Sequence, residues 1–191
     1  MNFKELMGKA LKRKRPIDYI IYISIIVGIV ALDQLTKWLT VKYLMPIKDL
    51  PLWDGVLHLY YVENDGAAFG MLDSAPWVFN TFSVIAIVGL SLYLFLGHAT
   101  NRLYEVSIAM IIAGGIGNMI DRVMLGYVVD FIYFKLINFA VFNGADSFVC
   151  VGAGLLMLAL ILEIIAESKA EKAKLEAAQI SAAHTEDAEE E

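Results

Sequence analysis

Long apolar runs, interrupted by short polar stretches, set the plan of this chain. A helix needs about 20 mostly apolar residues to cross the hydrocarbon of a bilayer. Four segments meet that length: from near Pro16 to Trp38, from Trp77 to Leu96, from about Leu103 to Ile120, and from Phe148 to Ile165. Bilayer-spanning backbone must satisfy its own polar groups, so the pattern predicts four transmembrane helices. The first run, almost wholly apolar from Tyr19 to Leu32, is too long and too late for a cleaved signal peptide. It lacks a small-x-small cleavage pattern and leads into polar Asp33-Gln34-Leu35-Thr36-Lys37, so it reads as a retained anchor.

Two connections are long. Residues 39–76 contain Tyr60-Tyr61-Val62, which reads as a short strand before the turn residues Asn64-Asp65-Gly66. Residues 123–147 contain Tyr127-Val128-Val129-Asp130-Phe131-Ile132-Tyr133-Phe134, rich in β-branched and aromatic residues but imperfectly alternating, which fits a strand or an interfacial segment. From Glu167 the chain turns to Ala, Glu and Lys, a helix-favouring run expected to fade into an acidic, disordered end. The expected organisation is a basic N-terminus over residues 1–16, a membrane domain over 17–167 and a tail over 168–191.

Composition sharpens this picture. Hydrophobic residues make up 59% and charged residues 19%, with a mean hydropathy of +0.63, more apolar than an ordinary soluble domain. The net charge of −6 comes largely from five acids among Glu186–Glu191 and says nothing about nucleic acid. A single cysteine, Cys150, excludes an intrachain disulfide framework, and its place in the fourth run reads as packing. The basic Lys12-Arg13-Lys14-Arg15 precedes the first run, and assigning it to the cytoplasm leaves ten Lys and Arg inside against five outside. Both termini are then cytoplasmic, and the aromatic outer loops lie at headgroup level.

Ionisable residues near hydrocarbon are costly and by default mark function. The predicted orientation gathers them at one depth: Asp33 and Lys37 at the outer end of the first span, Asn118, Asp121 and Arg122 at that of the third, Asn143 and Asp146 before the fourth, and Asp130 in the loop between. The opposite face shows only anchoring lysines and arginines. Asp33 and Lys37 are four apart on one helix face and suit a structural ion pair at the rim. Lys42, Lys48, Asp49, Asp54 and Asp73 read as solvated or snorkelling ends. Two nearby carboxyls can share one proton, the neutral acid polarising a peptide carbonyl while the charged one deprotonates water. Other chemistries lack their groups. His58, His98 and His184 stand apart with no His-Glu-x-x-His, the serines lack a nucleophile motif, and no phosphate loop or dinucleotide fingerprint is present. Ala113-Gly114-Gly115-Ile116-Gly117 reads as a small-residue face for close helix packing. No metal or cofactor is expected.

Five blocks in order between these spans carry a resemblance: Asp33-Gln34-Leu35-Thr36-Lys37, Asn64-Asp65-Gly66-Ala67-Ala68-Phe69, Gly117-Asn118-Met119-Ile120-Asp121-Arg122, Val128-Val129-Asp130-Phe131 and Phe142-Asn143-Gly144-Ala145-Asp146-Ser147. With them the chain resembles the lipoprotein signal peptidases (signal peptidase II), bacterial membrane aspartic endopeptidases. The resemblance implies an all-α, four-helix membrane fold with a small extracytoplasmic β-rich cradle. It implies Asp130 and Asp146 as catalytic aspartates, and Asn64, Asn118, Arg122 and Asn143 as residues that line the site and hold substrate. Asp33, Lys37, Gly66 and Ala145 take supporting places, and Asp121 is expected to orient Arg122. The implied substrate is a diacylglyceryl-modified prolipoprotein, cut immediately before its lipidated cysteine at the outer face of the cytoplasmic membrane by a monomeric enzyme sensitive to globomycin. A loop around Ala67-Ala68-Phe69 is expected to close over the site. Gly144, where the family usually has an aliphatic residue, and Asp65, in place of a small polar one, depart from the pattern. The main alternative is a proton-coupled transporter component using the aspartates as a relay, which their clustering at one end disfavours. A non-catalytic anchoring protein is a third.

Overall fold

The structure is a computed structural model describing residues 14–66, 76–96 and 101–189. It is mostly helical, with one small antiparallel sheet. The chain divides into two compact units, Met1–Leu155 and Leu156–Glu191, and the polar cluster described below lies entirely in the first. Among the described residues, three helical stretches are long and apolar enough to cross a membrane, Pro16–Leu44, Arg102–Met124 and Gly144–Lys172. The helix at the second predicted span contributes a shorter apolar stretch, Asn80–Phe95.

Helix α1, Pro16–Leu39, opens with proline at its first position, where the missing N–H costs nothing, and Asp18 accepts from the Arg15 backbone N–H at 3.0 Å. It runs directly into a π-helical turn, Thr40–Leu44. Lys48, at φ 66°, then turns the chain into β1, Asp49–Trp53. Strand β2, Leu57–Asn64, extends well beyond the three residues legible in sequence, and β1 was not foreseen because Pro51 interrupts its pattern. The hairpin turn uses Gly55 at φ 71°, and buried His58 holds it by bonding Asp49 at 2.7 Å and accepting from the Gly55 N–H at 3.2 Å. Asp49 is therefore a partner of His58 and not merely a solvated end.

Helix α2, Pro76–Phe95, and helix α3, Arg102–Met124, follow; α3 packs against both α1 and α2. Strand β3, Val128–Tyr133, completes a sheet in the order β1-β2-β3. The segment left open between strand and interfacial stretch is a strand. Its alternation is imperfect because both faces are buried: Val129 and Phe131 join Leu44 and Tyr61 in a core, while Val128 and Asp130 are buried as well. A short 3₁₀ turn, Lys135–Ile137, and a bridge between Ile132 and Phe142 lead into α4, Gly144–Glu189. The helix takes in the Ala/Glu/Lys-rich, helix-favouring run and continues to Glu189.

The glycine-rich run of α3 is a close-packing face. A Cβ on Gly114 would enter contact range of the Ala145 carbonyl oxygen, one on Gly115 would lie 2.9 Å from Ile87, and one on Gly117 would lie 2.6 Å from Asp33 Oδ2. Gly152 of α4 comes equally close to the Ser107 carbonyl. With Val149 and Gly152 turned to α3, the intervening Cys150 faces outward and is exposed, not packed. At the far end of α3, Glu105 is buried with Lys14 at 3.2 Å and takes the Tyr22 hydroxyl, while Lys14 also bonds the Leu94 carbonyl. That end carries a buried ion pair as well as the anchoring cations the sequence reading expected.

Gly114→Ala should destabilise the folded protein in detergent by on the order of 1–3 kcal/mol, seen as a lower thermal midpoint, because backbone and not a flexible side chain occupies the space. Gly28→Ala, with nothing within 4 Å, should be neutral or slightly stabilising. Equal behaviour of the two variants would contradict this packing.

Candidate active site

The site begins with a cation in an apolar bundle. Lys37 is 3% exposed and Asp33, one helical turn earlier, is 1% exposed, so the pair lies inside and not at a solvated rim. The three N–H groups of an ammonium need three acceptors here. The Lys37 ammonium lies 2.9 Å from Asp33 Oδ2, 3.0 Å from Asp121 Oδ2 and 2.8 Å from Asn118 Oδ1. Asp33 Oδ1 accepts the Ala145 N–H at 2.9 Å, one of the orphan donors at the start of α4. Asp121 accepts the Val129 N–H at 3.1 Å and a Gln34 Nε2–H at 3.0 Å. One lysine thus ties α1, α3, β3 and α4 together.

Asn118 carries the network on to two further carboxyls. Its Nδ2 donates to Asp146 Oδ1 at 2.7 Å, and its Oδ1 also accepts from Asn143 Nδ2 at 2.9 Å. Asn143 Nδ2 donates to Asp130 Oδ1 at 2.7 Å, so one amide touches the partners of both carboxyls. Asn143 and Asp146 also form a reciprocal cap on α4: the Asp146 N–H reaches Asn143 Oδ1 at 3.0 Å, and the Asn143 N–H reaches Asp146 Oδ2 at 3.1 Å. From the sheet, Asn64 donates to Asp130 Oδ2 at 2.8 Å. The register explains the reach, since Asn64 pairs with Val128 and Asp130 lies diagonally two residues on. Gly66 N–H donates to Asn64 Oδ1 at 3.1 Å and sets the amide's orientation.

Asp130 and Asp146 therefore stand around Asn143, with all four carboxyl oxygens accepting amide hydrogens. Burial, opposed by the Asn64 bond and reinforced by the Asp146 charge, pushes the Asp130 carboxyl up to about 7 from the usual 3.8. Half-buried Arg122 lies within electrostatic range of Asp146, Asp130 and Asp121. Such an arrangement can hold one proton between two carboxyls near neutral pH and activate a water between them. Among the described residues no group of three His, Cys, Asp or Glu side chains is placed to hold a metal ion.

The sequence-predicted residues Asp130, Asp146, Asn64, Asn118, Asn143, Asp33, Lys37, Asp121, Gly66 and Ala145 are all joined in this one hydrogen-bonded network, with Arg122 beside it. Asp121 was expected to orient Arg122; its oxygens take Lys37, Gln34 and the Val129 N–H. Gln34 was missed as a site residue. Its Nε2 bridges Asp121 and the Gly117 carbonyl, at 3.0 and 3.1 Å, and its signals were polarity at the end of an apolar run and its place in the first family block. The cap was readable as Asn-x-x-Asp at the head of an apolar run. A Cβ at Gly144 would make ordinary contacts of 3.5 Å with Asp33 Oδ1, so this departure neither opens nor strains the site. The loop around Ala67-Ala68-Phe69, expected to close over the site, lies outside the described residues.

Comparison with known proteins finds relatives over most of the chain. The sequence model of the family described as Signal peptidase (SPase) II matches residues 25–162. The lipoprotein signal peptidase of Caldanaerobacter subterraneus subsp. tengcongensis is 50% identical over 141 residues, which is 74% of this chain and 96% of that protein. The lipoprotein signal peptidase of Halalkalibacterium halodurans is 41% identical over 156 residues, covering 81% and 98% respectively. A solved bacterial membrane enzyme superposes with a TM-score of 0.68 at 32% identity, over 75% of this chain and 89% of its own.

The position of Asp130 has a measurable consequence for stability. Unfolded, its carboxyl titrates near 3.8; folded, near 7. Between those values the folded chain keeps a proton that the unfolded chain has released, so this group's contribution to stability falls as pH rises from 4 to 7 and stays lost above. The stability difference between wild type and Asp130→Asn should move in the variant's favour from pH 4 to pH 8, by at most about 4 kcal/mol. A pH-independent difference in thermal midpoint would contradict the burial argument.

Proposed function

The chain belongs to the signal peptidase II family, and from that membership we propose that it works as an aspartic endopeptidase with Asp130 and Asp146 as its dyad. Its function is the removal of signal peptides from prolipoproteins. The observation that carries the aspartic reading is Asn143, whose side-chain amide donates to buried Asp130 on β3 and whose backbone N–H donates to half-buried Asp146 on α4. One carboxylate takes a proton from water as its oxygen bonds to the scissile carbonyl carbon. The other, neutral, gives its proton to the carbonyl oxygen. The resulting diol returns a proton as it collapses, the C–N bond breaks, and the leaving nitrogen takes the proton first removed from water. The dyad ends as it began, holding one proton.

The finer reading follows from the substrate's chemistry. A prolipoprotein whose cysteine carries diacylglycerol stays in the bilayer, so its scissile bond must be cut at membrane depth, immediately before that cysteine. Four spans with both termini cytoplasmic bring the dyad to the outer face, where a translocated chain emerges. Asn64, Asn118, Arg122 and Asn143 then hold the substrate backbone, and a single copy of the chain suffices.

Purified enzyme assayed on a diacylglyceryl-modified prolipoprotein tests this directly. Asp130→Asn and Asp146→Asn should each fold and lose at least about 10²-fold in cleavage, and wild-type cleavage should fall above about pH 7 as the dyad loses its shared proton. Cleavage by both folded variants would remove the aspartic reading. Proton flux in liposomes without peptide cleavage would favour the transporter.

A further inference from the structure

The polar surroundings of the dyad are one-sided. Asn64, Asn118 and Asn143 all turn their amide nitrogens to the two carboxyls, and each is held that way by a donor on its oxygen. For Asn64 the donor is the Gly66 N–H, and for Asn143 it is the Asp146 N–H. For Asn118 it is the Lys37 ammonium at 2.8 Å, together with Asn143 Nδ2. Lys37 is the charged member of this set. A flipped Asn118 would set its oxygen against the Asp146 carboxylate and its NH₂ against the ammonium, so the lysine forbids the flip. A proton on the dyad then finds no acceptor among these three amides and is left for water or the reacting carbonyl.

The two carboxyls are not equivalent in this setting. Asp146 sits in the first turn of α4, at the positive end of the helix dipole, where its carboxylate accepts the Asn143 backbone N–H at 3.1 Å and the Asn118 amide at 2.7 Å. Asp130 sits on a strand, 1% exposed, where burial and the Asp146 charge oppose ionisation. The charged groups that bear on the pair are Lys37 from α1, Arg122 and Asp121 from α3, Asp130 from β3 and Asp146 from α4.

We propose that Lys37 is a positioning residue of the hydrolysis: by locking Asn118 it keeps Asp146 ionised, as the group that deprotonates water, and leaves the shared proton on Asp130, as the group that donates to the carbonyl oxygen. This rests on the peptidase reading above and assigns the roles that reading left open. Asp33 and Asp121 hold the ammonium where Asn118 meets it.

Two measurements test it. Infrared spectra at mildly acidic pH should show a protonated-carboxyl band that Asp130→Asn removes and Asp146→Asn retains; the reverse pattern overturns the proposal. Separately, Lys37→Met should hold KM within about threefold, lower kcat at least tenfold, and move the acid limb of kcat/KM up by about one pH unit. Lys37→Arg should move the limb back toward wild type. A folded Lys37→Met with an unmoved limb also overturns it, and if that variant does not fold, the infrared pair decides alone. Cleavage by both aspartate variants would instead bring down the aspartic reading, whichever carboxyl the spectra find protonated.

Discussion

An ammonium buried among apolar helices has to find three acceptors, and the rest of this site follows from how Lys37 finds them. Leaving such a charge without partners would cost several kcal/mol. The chain supplies Asp33 from one turn back on the same helix, and Asp121 and Asn118 from a helix more than eighty residues on. Satisfying the cation fixes α1 against α3. Asp33 and Asp121 each keep an oxygen lone pair for a backbone N–H, and these go to Ala145 and Val129. The start of α4 and the start of β3 are thereby pinned to the same centre, one residue before Asp146 and one residue before Asp130.

Close backbone approach makes this geometry reachable. Asp33 lies where a side chain on Gly117 would stand, and the Ala145 carbonyl lies where a side chain on Gly114 would stand. The small-residue face of α3 and the polar cluster are therefore one design: glycines remove bulk so that a carboxylate and a helix terminus can press against the helix that carries Asn118. The sheet contributes in a similar way. Its core of Leu44, Tyr61, Val129 and Phe131 anchors one face of β3, so that Asp130, on the alternate face, meets Asn64 and Asn143.

Much of this was legible before any coordinates. The long helices follow from hydropathy, the Asp33–Lys37 pair from its spacing of four, and the choice of Asp130, Asp146 and their amide neighbours from the five ordered blocks. What stayed hidden depends on partners distant in sequence or on a pattern with two causes. Glu105 gave no signal in the sequence because Lys14 and Tyr22, which bury it, lie more than eighty residues away. β3 lacked alternation because both of its faces are covered, and β1 was masked by a proline that an edge strand tolerates. Cys150 was read as packed because hydropathy alone does not say which side of an apolar helix faces its neighbours. Which way an amide points is likewise absent from a residue list, yet three asparagines here all turn their nitrogens to Asp130 and Asp146.

The central claim is that Asp130 and Asp146 address one reacting carbon together. A structure of the protein bound to a peptide-like inhibitor bearing a tetrahedral hydroxyl at the scissile position measures this most directly. The account predicts that hydroxyl within hydrogen-bonding distance of both carboxyls. An inhibitor that blocks cleavage while its hydroxyl reaches only one of them, or neither, would contradict it.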